Sequence, residues 1–472
     1  MLSTHPKAPA SGVSRALPAL VVLALALGGC STYEANPIDG ASVNRALEPE
    51  PLDSVKVAAS QLKHPLLAPI VIDGRGGFTP EEVAVMVVVV SPDLRALRDQ
   101  RGVAEAQILQ AGILPNPQLG YSVDKPRGTY DPAVVAAKSL GLSWEVASLL
   151  THHDQVRAAK AGAGAVDLTV AWQEWQTAQD ARLRAYRILS LKRRLPLAKS
   201  VEGLLADTAG MMRKAASLGL RTTTDLTAAT DSWAAAQNTR FDLEQQLSTE
   251  QAALNLSLGM RAADEVPLKA PEPAPAGESP LSATLLTEGL ETRRLDLVAL
   301  RLGYQSQEST LRAAVLAQFP KIGLSVNKMN DTTPINTRGV GVTVDLPLFD
   351  RNQGQIALGK ATRQQLFDEY VARVAEARSQ VGQAIQSLAL VRAQLGTVRE
   401  SLPDLMRLVA ANEAAQRSRN TDELAYRDAK AALAARLMEQ DRLEQQLAEL
   451  GVALEIATGR SSLNSHAQPG SL

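Results

Sequence analysis

Apolar and polar residues alternate at two places in the chain that lie 200 residues apart. In the later stretch, Val342, Val344 and Leu346 alternate with polar residues and Pro347 ends the run. An alternation of period two predicts a β-strand, and the residues that follow it have the spacing of a helix. Residues 141–149 show the same pattern followed by the same kind of helix. The sequence therefore predicts one strand-to-helix corner that occurs twice.

The duplication extends beyond this corner. The sequence Leu-Glu-Gln-Gln-Leu of residues 243–247 recurs at 443–447, and the segment 93–98 is echoed at 296–301. Self-similarity at a fixed spacing reports on architecture. We interpret the chain as two copies of one unit.

Four strands are predicted, at about 116–124, 139–148, 320–328 and 338–347. Each is long enough to cross a bilayer as a tilted strand. Four strands cannot close a barrel, and open strand edges are not tolerated in lipid, so membrane strands would require several chains. The alternative is a pair of soluble hairpins on a helical body.

Long helices account for most of the remaining pattern. One runs from 155 to about 218, breaks at 219–225 and returns from 226 to about 258. The second copy runs to about 417, breaks at 418–422 and returns over 423–457. At about 1.5 Å per residue the longest helix would be on the order of 100 Å long. The predicted fold is mainly α with a small β part, in which each repeat contains a helix, a β-hairpin and a long antiparallel helical hairpin.

The N-terminus has the features of a targeting segment. Residues 1–29 combine basic residues with a short apolar run that ends in Leu-Gly-Gly before Cys30, a sequence that resembles a bacterial lipobox. Cys30 is then the predicted lipidation site. An ordinary signal peptide or a buried N-terminal helix remains an alternative. As Cys30 is the only cysteine, the chain cannot form an internal disulfide.

The expected domain organisation follows from these patterns. It comprises a lipoprotein signal peptide (1–29), a lipid-anchored extended arm (30–80), a first repeat (81–260), a Pro-rich linker (261–282), a second repeat (283–460) and a disordered tail (461–472).

Composition and charge narrow the possible functions. The formal net charge is -1, which gives no electrostatic basis for binding nucleic acid. We find no catalytic, nucleotide-binding or dinucleotide-binding motif, so an enzyme is the least favoured class, and neither a cofactor nor a metal site is expected. His152, His153 and Asp154 are a candidate metal cluster by residue type. Because their counterparts in the second copy are Asn352, Gln353 and Gly354, a polar turn is the preferred interpretation.

Two aspartates follow the predicted breaks in the helical hairpins. Asp225 and Asp422 would stabilise helix N-termini, where first-turn carboxylates are favourable. Alternatively, an oligomer would arrange them in rings around a narrow opening that selects cations, with Leu226 and Leu424 as an apolar constriction.

Together these features resemble the TolC-type outer-membrane efflux family. The resemblance rests on the lipobox, the duplicated architecture, Leu-Pro-Asn-Pro at 114–117, Phe319-Pro320, and the corner sequence from 347 to 354. That corner most resembles the heavy-metal, CusC-like and CzcC-like branch. Its candidate residues are Pro347, Phe349, Asp350, Arg351, Asn352 and Gly354.

The resemblance implies a homotrimer whose twelve strands form one outer-membrane barrel continuous with a periplasmic α-helical barrel. It also implies a periplasmic adaptor protein, an inner-membrane RND pump and a lipid-anchored location in the outer membrane. The residues expected to contact the adaptor lie at the two hairpin tips: Gly219, Leu220, Thr222, Arg419 and Asn420. The expected function is a passive exit duct for heavy-metal cations. The alternatives are a channel for drugs or other organic solutes and a structural periplasmic lipoprotein that forms no channel.

Overall fold

The structure, a computed structural model, describes residues 32–128, 133–271, 282–333, 335–417 and 423–460. The chain divides into two units, residues 1–48 and residues 49–472. In the first unit, helix α1 (Gly40–Ala46) begins at a capping box formed by Asp39 and Ser42. The described residues of this unit are all exposed.

The second unit contains the remaining elements in an order that is partly repeated. They are α2 (Leu52–Ser60), α3 (Pro80–Val90), α4 (Pro92–Gly112), β1 (Gln118–Asp124), β2 (Ala137–Glu145), α5 (Ser148–Ser217), α6 (Thr223–Ser257), α7 (Ala283–Thr287), α8 (Leu290–Arg293), α9 (Leu295–Leu316), β3 (Lys321–Asn330), β4 (Asn336–Asp345), α10 (Gln353–Arg417) and α11 (Glu423–Thr458). The series α4-β1-β2-α5-α6 recurs as α9-β3-β4-α10-α11. The fold is thus mainly α with a small sheet, in two repeats, as the sequence predicts.

The four strands form one antiparallel sheet in the order β1-β2-β3-β4. The central pair joins the two repeats, with Trp144 of β2 opposite Leu324 of β3. Strands β1 and β4 are the two edges. No helix in the described part of the chain is both long enough and apolar enough to cross a bilayer.

Helix α3 supplies much of the core beside the long helices. Its valines are β-branched and favour helix only weakly, but Val83, Val85 and Val87 are at most 1% exposed and pack in one cluster with Ala181 and Ile188 of α5. Thr79 and Glu82 form a capping box at its start. Burial on all sides and the cap together stabilise a helix that local propensity would not.

An ionic network around the buried Arg182 crosses this core. Arg182 of α5 lies 3.2 Å from Glu81 and 3.0 Å from Glu455, and the Tyr186 hydroxyl donates to Glu81 at 2.8 Å. Burial opposes the charge of Arg182, but the Glu455 carboxylate and its other partners outweigh burial and raise the pKa. Burial also raises the pKa of Tyr186 to about 12. The network connects the start of α3 to the end of α11.

The structure departs from the sequence predictions in several places. The arm at 30–80 is not extended throughout, because it contains α1 and α2 and because Val55 and Ala59 of α2 are buried. Helix α5 begins at Ser148 rather than at 155. The observed strands differ from the predicted bounds by up to three residues at an end. The predicted signal peptide, Cys30 and the tail 461–472 lie outside the described residues.

Candidate functional site

One face of the sheet is apolar and exposed. The register places Leu119, Leu142, Val326 and Val340 side by side across the four strands. Val340 is 87% exposed and Leu119 72% exposed. Alternate residues along each strand share this face, and its members are Leu119, Tyr121, Val123, Leu140, Leu142, Trp144, Ile322, Leu324, Val326, Val340, Val342 and Val344. A contiguous patch of this kind marks a surface that contacts a membrane or another protein.

The opposite face of the sheet is lined by small and polar residues. Gly120, Gly141, Asn327 and Gly339 share one register row on this face. A Cβ added at Gly339 would lie 2.6 Å from Oδ1 of Asn327, so even a methyl group there would displace that side chain. The two faces therefore differ sharply in polarity and in bulk.

Both edges of the sheet are open within the chain. The only strand partner of β1 is β2, and the only strand partner of β4 is β3, among the residues that the structure describes. The outward N–H and C=O groups of an edge strand are a template for pairing with another strand. The sheet therefore has two edges at which a further strand can pair, beside an exposed apolar face.

The corner after β4 is held by side-chain hydrogen bonds. Asn352 has a φ of 58°, the one positive φ outside glycine in the described part of the chain. Asp350 Oδ1 accepts from its N–H at 2.8 Å, and its own Nδ2 donates to the Ala314 carbonyl of α9 at 2.8 Å. The Asn352 carbonyl accepts from the N–H of Ile356 at 3.0 Å, which starts α10. Asn352 thus joins the sheet, α9 and α10.

The other predicted corner residues lie around this turn. Arg351 donates through Nε to the Pro347 carbonyl at 3.3 Å, and the Arg351 N–H donates to the side chain of Gln353. Phe349 is 93% exposed. Gly354 lies in the first turn of α10. Pro347, Phe349, Asp350 and Asn352 also line a cavity of about 540 Å³.

The first repeat builds its corner differently. His152, His153 and Asp154 lie within α5, so the predicted polar turn is wrong at this position. Helix already begins at Ser148, without a side-chain cap. Asp154 is buried, with Arg312 of α9 at 3.4 Å. Within the described ranges, we find no group of three or more His, Cys, Asp or Glu residues that could hold a metal ion.

The tip of the first helical hairpin is well defined. Gly219 has a φ of 68° and ends α5, where the N–H of Leu220 donates to the Ala215 carbonyl at 2.9 Å. Thr222 and Asp225 then form a capping box at the start of α6, with both hydrogen bonds at 3.1 Å. The capping interpretation of Asp225 is therefore confirmed by the geometry.

The hydrogen bond from the Thr222 backbone lowers the pKa of Asp225, so the carboxylate is charged at neutral pH. Leu226 is half-buried beside it, whereas Gly219, Leu220 and Thr222 are exposed. The tip thus presents a backbone turn with a fixed negative charge just behind it. This geometry suits both a contact with a partner protein and an electrostatic constriction.

The second tip can be followed only in part. Arg419, Asn420 and Asp422 lie outside the described residues, whereas Leu424 is half-buried in the first turn of α11. Near this tip, Arg427 of α11 forms an ion pair at 2.9 Å with Asp207 of α5. The structure thus places an inter-repeat contact close to the second tip.

Sequence reasoning missed three basic residues on the sheet. Lys138, Lys328 and Arg338 are exposed and lie on the same face as the apolar residues, at the end of the sheet where the hairpin loops are. Lys138 lies two residues before Leu140, Lys328 two residues after Val326, and Arg338 two residues before Val340. In a strand, this spacing of two places each of them on the apolar face, and that is the sequence signal that could have revealed them.

Comparisons with known proteins agree with this architecture. Residues 286–460 match the family model for outer membrane efflux proteins. No curated protein matches the chain in sequence. Among solved structures, CusC is similar with a TM-score of 0.62 and 16% identity over 81% of this chain and 92% of its own.

Two further structures described as outer-membrane channels are similar. OprN gives a TM-score of 0.64 with 17% identity over 80% of this chain and 89% of its own. CmeC of Campylobacter jejuni gives 0.65 with 14% identity over 80% of this chain and 85% of its own. At these identities the structural similarity shows the fold alone. The family model identifies the second repeat as similar to outer membrane efflux proteins in sequence as well.

Proposed function

We propose that the chain is a member of the TolC-type outer-membrane efflux family, since residues 286–460 match the family model for outer membrane efflux proteins, and that three copies form the passive exit duct of a tripartite efflux system. Proteins of this family are outer-membrane channels rather than enzymes. One observation carries the trimer: a four-stranded sheet with two open edges and an exposed apolar face. Twelve strands from three copies would satisfy every edge and would turn the apolar faces toward lipid.

The helical hairpins support the second part of the proposal. Helix α5 has 70 residues, which at about 1.5 Å per residue is about 105 Å. Hairpins of this length, continuous with a membrane sheet through the two corners, would extend the duct across the periplasm. Phe349, which is exposed at the corner, would lie at the membrane interface, where aromatic residues are enriched.

The proposed domain organisation follows the two repeats. Cys30 would be acylated and would anchor the arm 30–80 to the outer membrane, after removal of residues 1–29. Residues 81–260 and 283–460 would each supply one hairpin of strands and one of helices, with the linker 261–282 between them.

The hairpin tips are the proposed site of coupling to the pump. Gly219, Leu220 and Thr222, with Arg419 and Asn420 of the second tip, would contact a periplasmic adaptor protein. That adaptor would connect the duct to an inner-membrane RND pump, which supplies the energy. Rings of Asp225 and Asp422, with Leu226 and Leu424 as the apolar constriction, would gate the tunnel and favour cations.

The proposed substrates are heavy-metal cations. Support comes from the corner sequence at 347–354, which resembles the heavy-metal branch, and from the negative charge behind the first tip. An organic-solute channel of the same architecture is the second candidate, because the metal assignment depends on one corner sequence and the fold shared with CusC and OprN is the same for either substrate class.

Two measurements test the proposal. Full-length protein in neutral detergent should have the mass of three copies by light scattering and should form discrete conductance steps in planar bilayers. A monomer without conductance would instead support a structural lipoprotein.

Deletion of the gene, with complementation as the control, should then be scored on metal salts and on antibiotics or dyes. Hypersensitivity confined to metals supports the metal assignment. Hypersensitivity confined to organic compounds assigns the same duct to organic solutes.

A further inference from the structure

The apolar face of the sheet ends in a cluster of cations on the loop side, which we name the basic rim: Lys138, Lys328 and Arg338. Lys328 stands opposite Arg338 across β3 and β4. Lys138 is a diagonal neighbour of Lys328, since Leu140 is the residue opposite Lys328. Cβ atoms of opposite residues are about 5 Å apart and those of diagonal neighbours about 7 Å apart. Three exposed cations therefore share one small area.

No carboxylate of the described residues is paired with the basic rim. None of its three residues forms an ion pair within the described ranges. Of the described acidic residues at this end, Asp124 lies on the opposite face by alternation. Asp331 is engaged in the turn, where its Oδ1 accepts from the N–H groups of Thr333 and Ile335.

The rim is also electrostatically unfavourable by itself. Like charges directly opposite each other destabilise a sheet, so Lys328 and Arg338 repel one another unless an anion lies between them. Lys125 and Arg127 follow β1 at the same end and add further positive charge. The surface is therefore complementary to an anion.

The other end of the sheet has a different charge pattern. There Lys321 stands opposite Asp345, and Glu145 is near them, but all three lie on the small and polar face by alternation. The apolar face ends there in Trp144, Ile322 and Val344, without a charge. Among the described residues, charge on the apolar side of the sheet is therefore confined to the loop end, and it is positive. An amphiphile with an anionic head group and apolar chains matches this order of surfaces.

We propose that the basic rim binds the phosphate groups of a lipid whose acyl chains lie on the apolar face. The proposal rests on the proposed function in one respect, namely that the sheet lies in a membrane. A lysine or arginine near a membrane surface strengthens the binding of anionic lipid by roughly fivefold. The three residues together are expected to contribute roughly 100-fold.

The test compares two full-length variants with the wild type in neutral detergent. One carries Lys138→Gln, Lys328→Gln and Arg338→Gln together, and the control carries Lys321→Gln at the opposite end. The probe is bisphosphorylated lipid A in mixed micelles, with phosphatidylcholine and inorganic phosphate as the comparison ligands.

We expect the triple variant to bind lipid A about 100-fold more weakly, and the control variant and phosphatidylcholine binding to be unchanged. Equal lipid A binding by the triple variant and the wild type would overturn the inference. So would an equal loss in the control variant, or inorganic phosphate binding as tightly as the lipid.

Conductance separates this inference from the proposed function. If the wild type forms channels in planar bilayers but shows no preference for lipid A over phosphatidylcholine, the lipid site is wrong and the duct remains. If the wild type forms no channels, the duct is wrong, whatever its lipid binding.

Discussion

Replacement of Asn352 by alanine should loosen the start of α10 by an amount that the structure allows us to work out. Its φ of 58° lies in the left-handed region, which costs a residue with a Cβ about 1 kcal/mol. Its side chain also donates to the Ala314 carbonyl, and the loss of one hydrogen bond costs about 1 kcal/mol. Asn352→Ala should therefore destabilise the corner by about 2 kcal/mol, whereas Asn352→Gly loses only the hydrogen bond, about 1 kcal/mol.

Amide hydrogen exchange measures this quantity at the corner itself. The N–H of Ile356 donates to the Asn352 carbonyl, so its exchange reports the opening of the first turn of α10. Because each 1.4 kcal/mol is a factor of ten, exchange should be about 30-fold faster in Asn352→Ala and about fivefold faster in Asn352→Gly. Gln355→Ala, an exposed change in the same turn, is the control and should leave the rate nearly unchanged.

The three variants distinguish the cost of the left-handed conformation at residue 352 from the loss of its hydrogen bond to α9. Equal acceleration in the alanine and glycine variants would mean that the left-handed conformation is not costly here. No acceleration in either variant would show that the hydrogen bond to α9 does not hold the corner. An effect of the same size in Gln355→Ala would indicate a general weakening of the helix start.

Three further outcomes are expected. Cys30→Ser should abolish labelling by radioactive fatty acid, and persistent labelling would contradict the lipid anchor. Asp225→Asn should reduce the cation-over-anion selectivity of the channel at neutral pH, while Thr222→Ala, which removes the cap and keeps the carboxylate, should preserve it; equal losses would indicate an effect of folding. Because the folded-state pKa of Asp225 is lowered, the cap contributes fully above the unfolded pKa and its contribution is lost as the pH falls through the folded pKa. Arg182→Ala, which removes a buried cation from between two half-buried carboxylates, should lower stability in thermal unfolding by about 3 kcal/mol. Arg407→Ala, in an exposed pair, should lower it by less than about 1 kcal/mol. Similar values for the two variants would refute the role of burial.

The sequence predicted the elements that have strong local signals. Period-two alternation located all four strands, and the proline at 92 together with the glycine at 219 set helix ends that the structure confirms. The return helix, predicted from 226, begins at Thr223 instead; Thr and Asp three residues apart are a capping signature that would have given this start.

Features that depend on long-range packing were not readable. The arm 30–80 has many prolines, yet its apolar residues find a core made by α3 and α5, and burial then stabilises helix there. The pairing of β2 with β3 joins strands about 180 residues apart, and no local pattern encodes it. The basic rim depends on that same pairing.

The duplication itself gives a wrong prediction at His152. Equivalence with Asn352 suggested a turn in both repeats, but the turn requires a left-handed residue that asparagine tolerates better than histidine, together with a side chain that reaches α9. The first repeat lacks this combination and continues as helix up to the strand. Homologous positions in a repeat share a backbone only where the deciding side chain is present in both.

The unequal corners give the two repeats different mechanical properties. Helix α5 starts at Ser148 without a side-chain cap, so a pull along it can fray its first turn one residue at a time. Asn352 directly precedes helix α10, and tension there must break its hydrogen bond to the Ala314 carbonyl before the turn can lengthen. The strand-to-helix corner of the second repeat is therefore stiffer than that of the first. In the proposed trimer the two kinds of corner alternate around the barrel, so a force along the helices would act unequally on neighbouring corners.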